Sequence, residues 1–211
     1  MRAGAPHGFP IPTHRRQSHP RHDLAGLRTL LRRPRLAPYI SKAYGGYYAE
    51  EEAARARIDH LESVIVFWPY MALVDAFQHW IYEHHDEASD GQRCEVKWGE
   101  LWDRFMQGID YAGFEKYKNI HWHGQGHIHT SPFYYVEYGL AQLGAVQVYA
   151  NARKDQKQAV ADSRKALSLG STVSLPELFR TAGAKFTFDA ATLKQAVDLL
   201  EEDIEKLQTK L

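Results

Sequence analysis

The chain has 211 residues and a mass of 24.2 kDa, and its 26 Lys+Arg balance 26 Asp+Glu, so the formal net charge is zero. That balance argues against a whole-chain polyanion binder, which would carry a basic excess. A composition of 44% hydrophobic and 12% aromatic residues excludes wholesale disorder, and a single cysteine, Cys94, excludes an internal disulfide framework or a multi-cysteine zinc site.

The neutral total hides an asymmetry. Residues 1–35 hold eight Arg, no Lys, four His, five of the nine prolines and one acid, Asp23. Their net charge is +7, which leaves −7 on the other 176 residues. Such a shift in composition marks a boundary, so residues 1–36 are read as a basic Arg/Pro/His-rich segment, disordered or not native to the rest of the chain. It has no apolar run of signal-peptide length. Its arginines and lack of acids suit a transit peptide, but five prolines oppose an amphipathic targeting helix. A nucleic-acid-contacting tail is a second reading, and a solvated extension is the simpler one. With one cysteine, a reducing, cytoplasmic setting is expected.

From Ala37 onward the pattern is helical. Residues 47–67 form a charged, Ala-rich helix whose Glu50, Glu51 and Glu52 suit the positive end of a helix dipole. Pro69 is expected to kink or restart it. Residues 69–83 are apolar nearly all round. The uninterrupted apolar run, Val64 to Val74, is about half of the roughly 20 residues that a membrane span needs, so a buried core helix is expected. Residues 86–92 read as a polar loop. A helix over 93–106 comes next, with Val96, Leu101, Trp102 and Phe105 as its apolar face. Residues 107–131 read as ordered loop with short helical pieces. Pro132 suits the start of a helix running to about Arg153.

A further helix, about 155–168, stops at Gly170. Ser174 with Glu177 has capping-box spacing for a short helix through Phe179. In the last helix, about 190–209, Leu193, Val197, Leu200, Ile204, Leu207 and Leu211 step by 4, 3, 4, 3, 4. That stripe predicts packing on its own domain, because it is too short for a coiled coil.

Four groups of residues can carry chemistry. In the helix after Pro132, Glu137 lies in an apolar surround and must be paired, neutral or functional. Tyr134 and Tyr138, four apart, share a face and can hydrogen-bond one oxyanion or carbonyl, or simply pack as core. His121, His123, His127 and His129 fall within nine residues and have the types, but not the carboxylate, of a metal site. Asp75 and His79, four apart, can ligate a metal or orient one another, the second being favoured. The 211 residues contain no HExxH, GxSxG, Walker A or GxGxxG motif.

The string HIHTSPFYYVEYGLAQLGAVQVYAN, His127 to Asn151, closely resembles the region near the C-terminus of oligoendopeptidase F, in the thimet-oligopeptidase family of zinc metallopeptidases. ARARIDHLESVI, PYMALVDAFQHWIY, ALSLGSTVSLPELFRTAG and FTFDAATL resemble the same family in its own order, so the likeness covers roughly 37–211. The resemblance implies an all-α fold, the helical C-terminal part of an oligopeptidase catalytic domain. It also implies hydrolysis of internal bonds of oligopeptides, with zinc held by HExxH and a downstream Glu. His127 matches the family His that acts on the substrate carbonyl and its oxyanion. Tyr138 is the firmest match among the tyrosines with that role, and Tyr134 and Tyr135 match as substrate-binding residues. His129 stands where the family has Phe and is not carried over.

The zinc motif and the third ligand, expected upstream of Ala37, are absent, and the Arg/Pro/His segment stands there instead. That segment looks like a shifted reading frame or a misassigned start joined to a true C-terminal part. Zinc therefore belongs to the intact family enzyme, and no metal ligand is assigned in this chain. The isolated chain is expected to be inactive as a peptidase, and the alternative is a non-enzymatic helical protein, either a peptide-binding remnant or an inert fragment. The expected partner of the intact enzyme is an oligopeptide, with no membrane or nucleic acid, and exposed apolar surface is expected to allow self-association.

Overall fold

The computed structural model describes residues 41–211, so the segment 1–36 and the expectations attached to it lie outside the described residues. Among the described residues the regular structure is helical, with one isolated bridge, Ser41 to Tyr48, and no strand. The expected all-α class is what the chain adopts.

The first long helix, α1 (Glu50–Glu83), is continuous for 34 residues. Its three leading glutamates sit at the dipole's positive end, and the Glu52 carboxylate accepts the Ala49 N–H at 2.8 Å. Pro69 lies inside α1, which runs on through it, so of the expected kink or restart the restart does not occur. An interior proline costs about 3 kcal/mol. On either side of it Val64, Met71, Leu73, Val74 and Phe77 are buried, each contributing roughly 1.5–3 kcal/mol, so packing prevails. By length and hydropathy α1 could cross a bilayer, and in this fold three other long helices pack on it.

The stretch read as a polar loop is a one-turn helix, α2 (His85–Ala88), succeeded directly by α3 (Gly91–Phe105). Asp90 makes the difference. Its carboxylate accepts the Gln92 N–H at 2.9 Å and starts α3 earlier than its apolar residues suggest. The buried face of α3 is Cys94, Trp98, Leu101 and Trp102. Val96 is 58% exposed, because two residues past Cys94 a helix has turned roughly 200°.

Three short pieces come next, as expected: α4 (Glu115–Asn119), a 3₁₀ turn at His121–Gly124 and α5 (Gly126–Thr130). The next helix, α6 (Tyr135–Lys154), begins three residues after Pro132. Phe133 has φ +60°, a left-handed backbone that a bulky residue rarely adopts, and this separates the proline from the helix.

Helix α7 (Gln156–Leu169) is capped by Asp155 and ends at Gly170, whose φ is +55°. Helix α8 (Leu175–Thr181) forms without the expected capping box. Ser174 makes no side-chain cap bond, and Glu177 pairs with Arg180 at 2.7 Å. Helix α9 (Ala190–Gln208) is capped by Asp189, which accepts the Thr192 N–H at 2.7 Å.

Two cores result, both strung on α1. The first joins Ile58, Leu61 and Val64 to α6, α8 and α9, where Leu200, Ile204 and Leu207 are buried as the stripe predicts. The second joins Met71, Leu73, Val74 and Phe77 to Trp98 and Trp102 of α3, Ile128 of α5 and Tyr135 of α6. Where α1, α5 and α6 meet, the second core carries the residues that the sequence singles out.

Candidate active-site wall

His127 sits in α5, and Tyr134, Tyr135 and Tyr138 occupy the N-cap and first turn of α6. The short connection through Phe133 folds the two helices against each other. The left-handed residue reverses the chain just before Tyr134, and its ring lies 4.9 Å, centroid to centroid, from those of both His79 and Tyr82 on α1.

The outcome is one aromatic cluster around an imidazole. The Tyr134 ring stacks on the His127 ring, 5.9 Å between centroids and 9° between planes. Tyr135 and Tyr138 meet it edge-on, at 5.0 Å and 5.7 Å. The Tyr138 hydroxyl is 3.3 Å from His127 Nε2. Tyr134 and Tyr138 lie 5.2 Å apart on the shared face expected from their spacing. The structure therefore brings together all four residues that the sequence nominates.

Two further residues enter that the sequence did not single out. Gln125 bonds both Tyr135 and His127, and the Tyr70 hydroxyl of α1 donates to Gln125 at 2.9 Å. Burial pushes the Tyr135 and Tyr138 hydroxyls above their ordinary value, with the nearby Glu137 carboxylate adding to the effect on Tyr138. Tyr70 is pushed up to about 12, by burial first and then by Tyr135. These phenols stay protonated across the neutral range, so each keeps a hydrogen to donate. A cluster of O–H and N–H groups on one wall can stabilise negative charge developing on an oxygen.

The remaining candidates lie apart. His129 is exposed and packs on Trp122, as does His123. His121 packs against Trp102 and Tyr70. Asp75 and His79 lie side by side on α1, Oδ2 to Nε2 at 3.6 Å, within ion-pair range. Cys94 is buried, and burial, with Asp90, pushes its thiol up, away from nucleophile chemistry. Among the described residues no three His, Cys, Asp or Glu side chains gather in a metal-binding arrangement, so the donor set does not fit the zinc that the family resemblance implies.

Residues 33–198 match the sequence profile of peptidase family M3. A solved structure named oligoendopeptidase F is 31% identical with a TM-score of 0.68, over 74% of this chain and 27% of that one. PZ peptidase A with inhibitor 2 is 29% identical with a TM-score of 0.69, over 75% and 28%. An oligoendopeptidase F from Bacillus anthracis str. Ames is 28% identical with a TM-score of 0.59, over 78% and 26%. The chain thus spans 26–28% of the length of these structures. No curated protein matches it.

Proposed function

The chain belongs to peptidase family M3, and on that premise we propose that it supplies the substrate-side wall of an oligopeptide-cleaving metallopeptidase. His127 and Tyr138 are the catalytic residues of that wall, acting on the carbonyl oxygen of the scissile bond as it becomes an oxyanion. Tyr134 and Tyr135 bind the peptide around it. The observation that supports this reading most is the 3.3 Å approach of Tyr138 Oη to His127 Nε2 inside a single cluster of protonated phenols.

Oxyanion donors act by being in place before charge develops, and removing one typically costs about 10²–10³ in turnover. Rings packed at 5–6 Å from one another supply that fixity here. Family M3 is zinc-dependent in general. The metal would polarise the carbonyl and its bound water, and no step is assigned to it on this chain because the described residues do not fit as its ligands. By itself the chain is inactive as a peptidase, in a cytoplasmic setting. Phe188, 71% exposed, together with Phe114 and Val96, gives it apolar surface for self-association.

A graft tests the reading. Residues 41–211 replace the matching segment of an oligoendopeptidase F, and hydrolysis of a short internally quenched peptide is measured. Turnover that drops sharply with Tyr138→Phe supports the proposal, while turnover unaffected by that change reduces the tyrosine cluster to packing.

A further inference from the structure

Gln125 stands at the joint between the His121–Gly124 turn and α5, between two glycines. Its backbone is pinned on both sides. Its N–H donates to the Trp122 carbonyl at 3.0 Å, and its carbonyl accepts the Ile128 N–H at 3.0 Å. From there the side-chain amide reaches three residues of the cluster. Nε2 lies 2.7 Å from the Tyr135 hydroxyl and 3.2 Å from His127 Nδ1, and Oε1 accepts from the Tyr70 hydroxyl at 2.9 Å.

The chemistry of the amide gives these bonds a direction. An amide nitrogen has two hydrogens and nothing with which to accept. This orientation uses both hydrogens and the oxygen. Turned over, the amide would present its oxygen to Tyr135 and His127 and leave one N–H idle at a partly buried site, which proteins avoid. His127 Nδ1 is therefore an acceptor, and the neutral ring carries its hydrogen on Nε2. That Nε2–H faces Tyr138 Oη across a long 3.3 Å, which leaves it able to reach a substrate oxygen as well. The Tyr138 hydroxyl, facing an N–H, keeps its own hydrogen for another partner, and the Tyr135 hydroxyl does the same opposite Gln125.

We propose that Gln125 is a positioning residue. It holds His127 in the Nε2–H tautomer and thereby leaves the Tyr138 O–H free to donate to the substrate oxygen. With the opposite tautomer, Nε2 would draw the Tyr138 hydrogen to itself, and the wall would lose its donor without moving a heavy atom. The inference rests on the oxyanion reading above for its purpose, and not for the tautomer itself, which Gln125 and His127 set between them.

The test uses that separation. Histidine ¹⁵N spectra of the full 211-residue chain are recorded at about pH 8.5, roughly two units above the ordinary imidazole value. The His127 signals are identified by their loss in His127→Ala. The expected result is an Nε2–H ring in the native chain, a switch to Nδ1–H in Gln125→Glu, whose carboxylate can only accept, and mixed tautomers in Gln125→Leu. A native ring in the Nδ1–H form, or one indifferent to both substitutions, overturns the proposal. The native spectrum decides even if a variant fails to fold. In the grafted enzyme, Gln125→Leu is expected to lower kcat about 10–100-fold at nearly constant KM, the scale typical of residues that orient another. A graft slowed by Tyr138→Phe but not by Gln125→Leu removes the positioning role and leaves the oxyanion reading standing.

Discussion

The Tyr149 hydroxyl donates to Asp203 Oδ2 at 2.6 Å and so ties α6 to α9 across the first core. Asp203 is 8% exposed, and its other oxygen lies 3.4 Å from Arg153 Nη2. Removing the phenol oxygen leaves a buried carboxylate with one long ion pair as compensation. Tyr149→Phe is expected to cost about 1.5–3 kcal/mol, the range for hydrogen bonds to charged groups. The urea midpoint should fall with the slope unchanged; a midpoint equal to that of the parent chain would show the bond to be idle.

Alkaline pH tests the same contact and a second one. Burial, and after it Asp203, pushes the Tyr149 hydroxyl up to about 12, and Tyr70 is raised to the same region. A raised value means that the folded state holds the proton more tightly. Below pH of about 10 both folded and unfolded chains are protonated and the contribution is complete. Between about 10 and 12 the unfolded chain ionises while the folded one resists, so stability falls, by about 3 kcal/mol for Tyr149 by the upper end. The unfolding midpoint should be level to about pH 9.5 and drop beyond it, less steeply in Tyr149→Phe. A level profile through pH 12 contradicts this.

Gly144 is where α6 approaches α8. A Cβ there would run into the Phe179 ring, which is 5% exposed and held edge-on by Phe186 at 5.2 Å. In an open helix Gly→Ala gains about 1 kcal/mol. Overpacking costs about 1–3 kcal/mol, and an approach well inside van der Waals contact with a fixed ring belongs at the upper end, so the clash prevails. Gly144→Ala should destabilise the fold, and Phe179→Leu should recover most of the loss in a double-mutant cycle. Additive losses would mean that the ring is not the obstacle.

The helices were readable wherever one face does one job. The 4-3-4-3 stripe of α9 and the stop at Gly170 come directly from sequence, because side-chain burial and glycine's freedom are local properties. No restart follows from Pro69, because its penalty is local while the compensating burial comes from elements far along the chain. Val96 misled because hydrophobicity alone does not fix helix phase; Trp98 and Trp102 did. At the site, His127 and its tyrosines lie within twelve residues and share a motif. Gln125 was invisible because its meaning depends on Tyr70, 55 residues away.

In the grafted enzyme, His127→Ala and Tyr138→Phe should each lower kcat by about 10²–10³ with little change in KM, the signature of an interaction made only in the transition state. Metal content should stay at the parent level. His129→Ala is the control, since that ring is exposed and packs on Trp122. Equal effects at 127 and 129 would point to loop stability instead.

For the chain alone, titration with zinc should give weak, substoichiometric uptake by scattered histidines, and peptide hydrolysis should be absent with or without a chelator. Tight one-to-one zinc accompanied by turnover would relocate the active site altogether.

Helix α1 passes from one core to the other between Val64 and Met71, and Pro69, which has no amide hydrogen, lies at that crossing. Stability in such an arrangement is distributed in blocks. Amide exchange should show two protected stretches in this single helix, one keeping time with α9 and the other with α3. The His127 cluster belongs to the second block. Its order is therefore set by how long α3 stays docked, and stabilising the α9 side will raise the melting point of one block without making the aromatic cluster any more persistent.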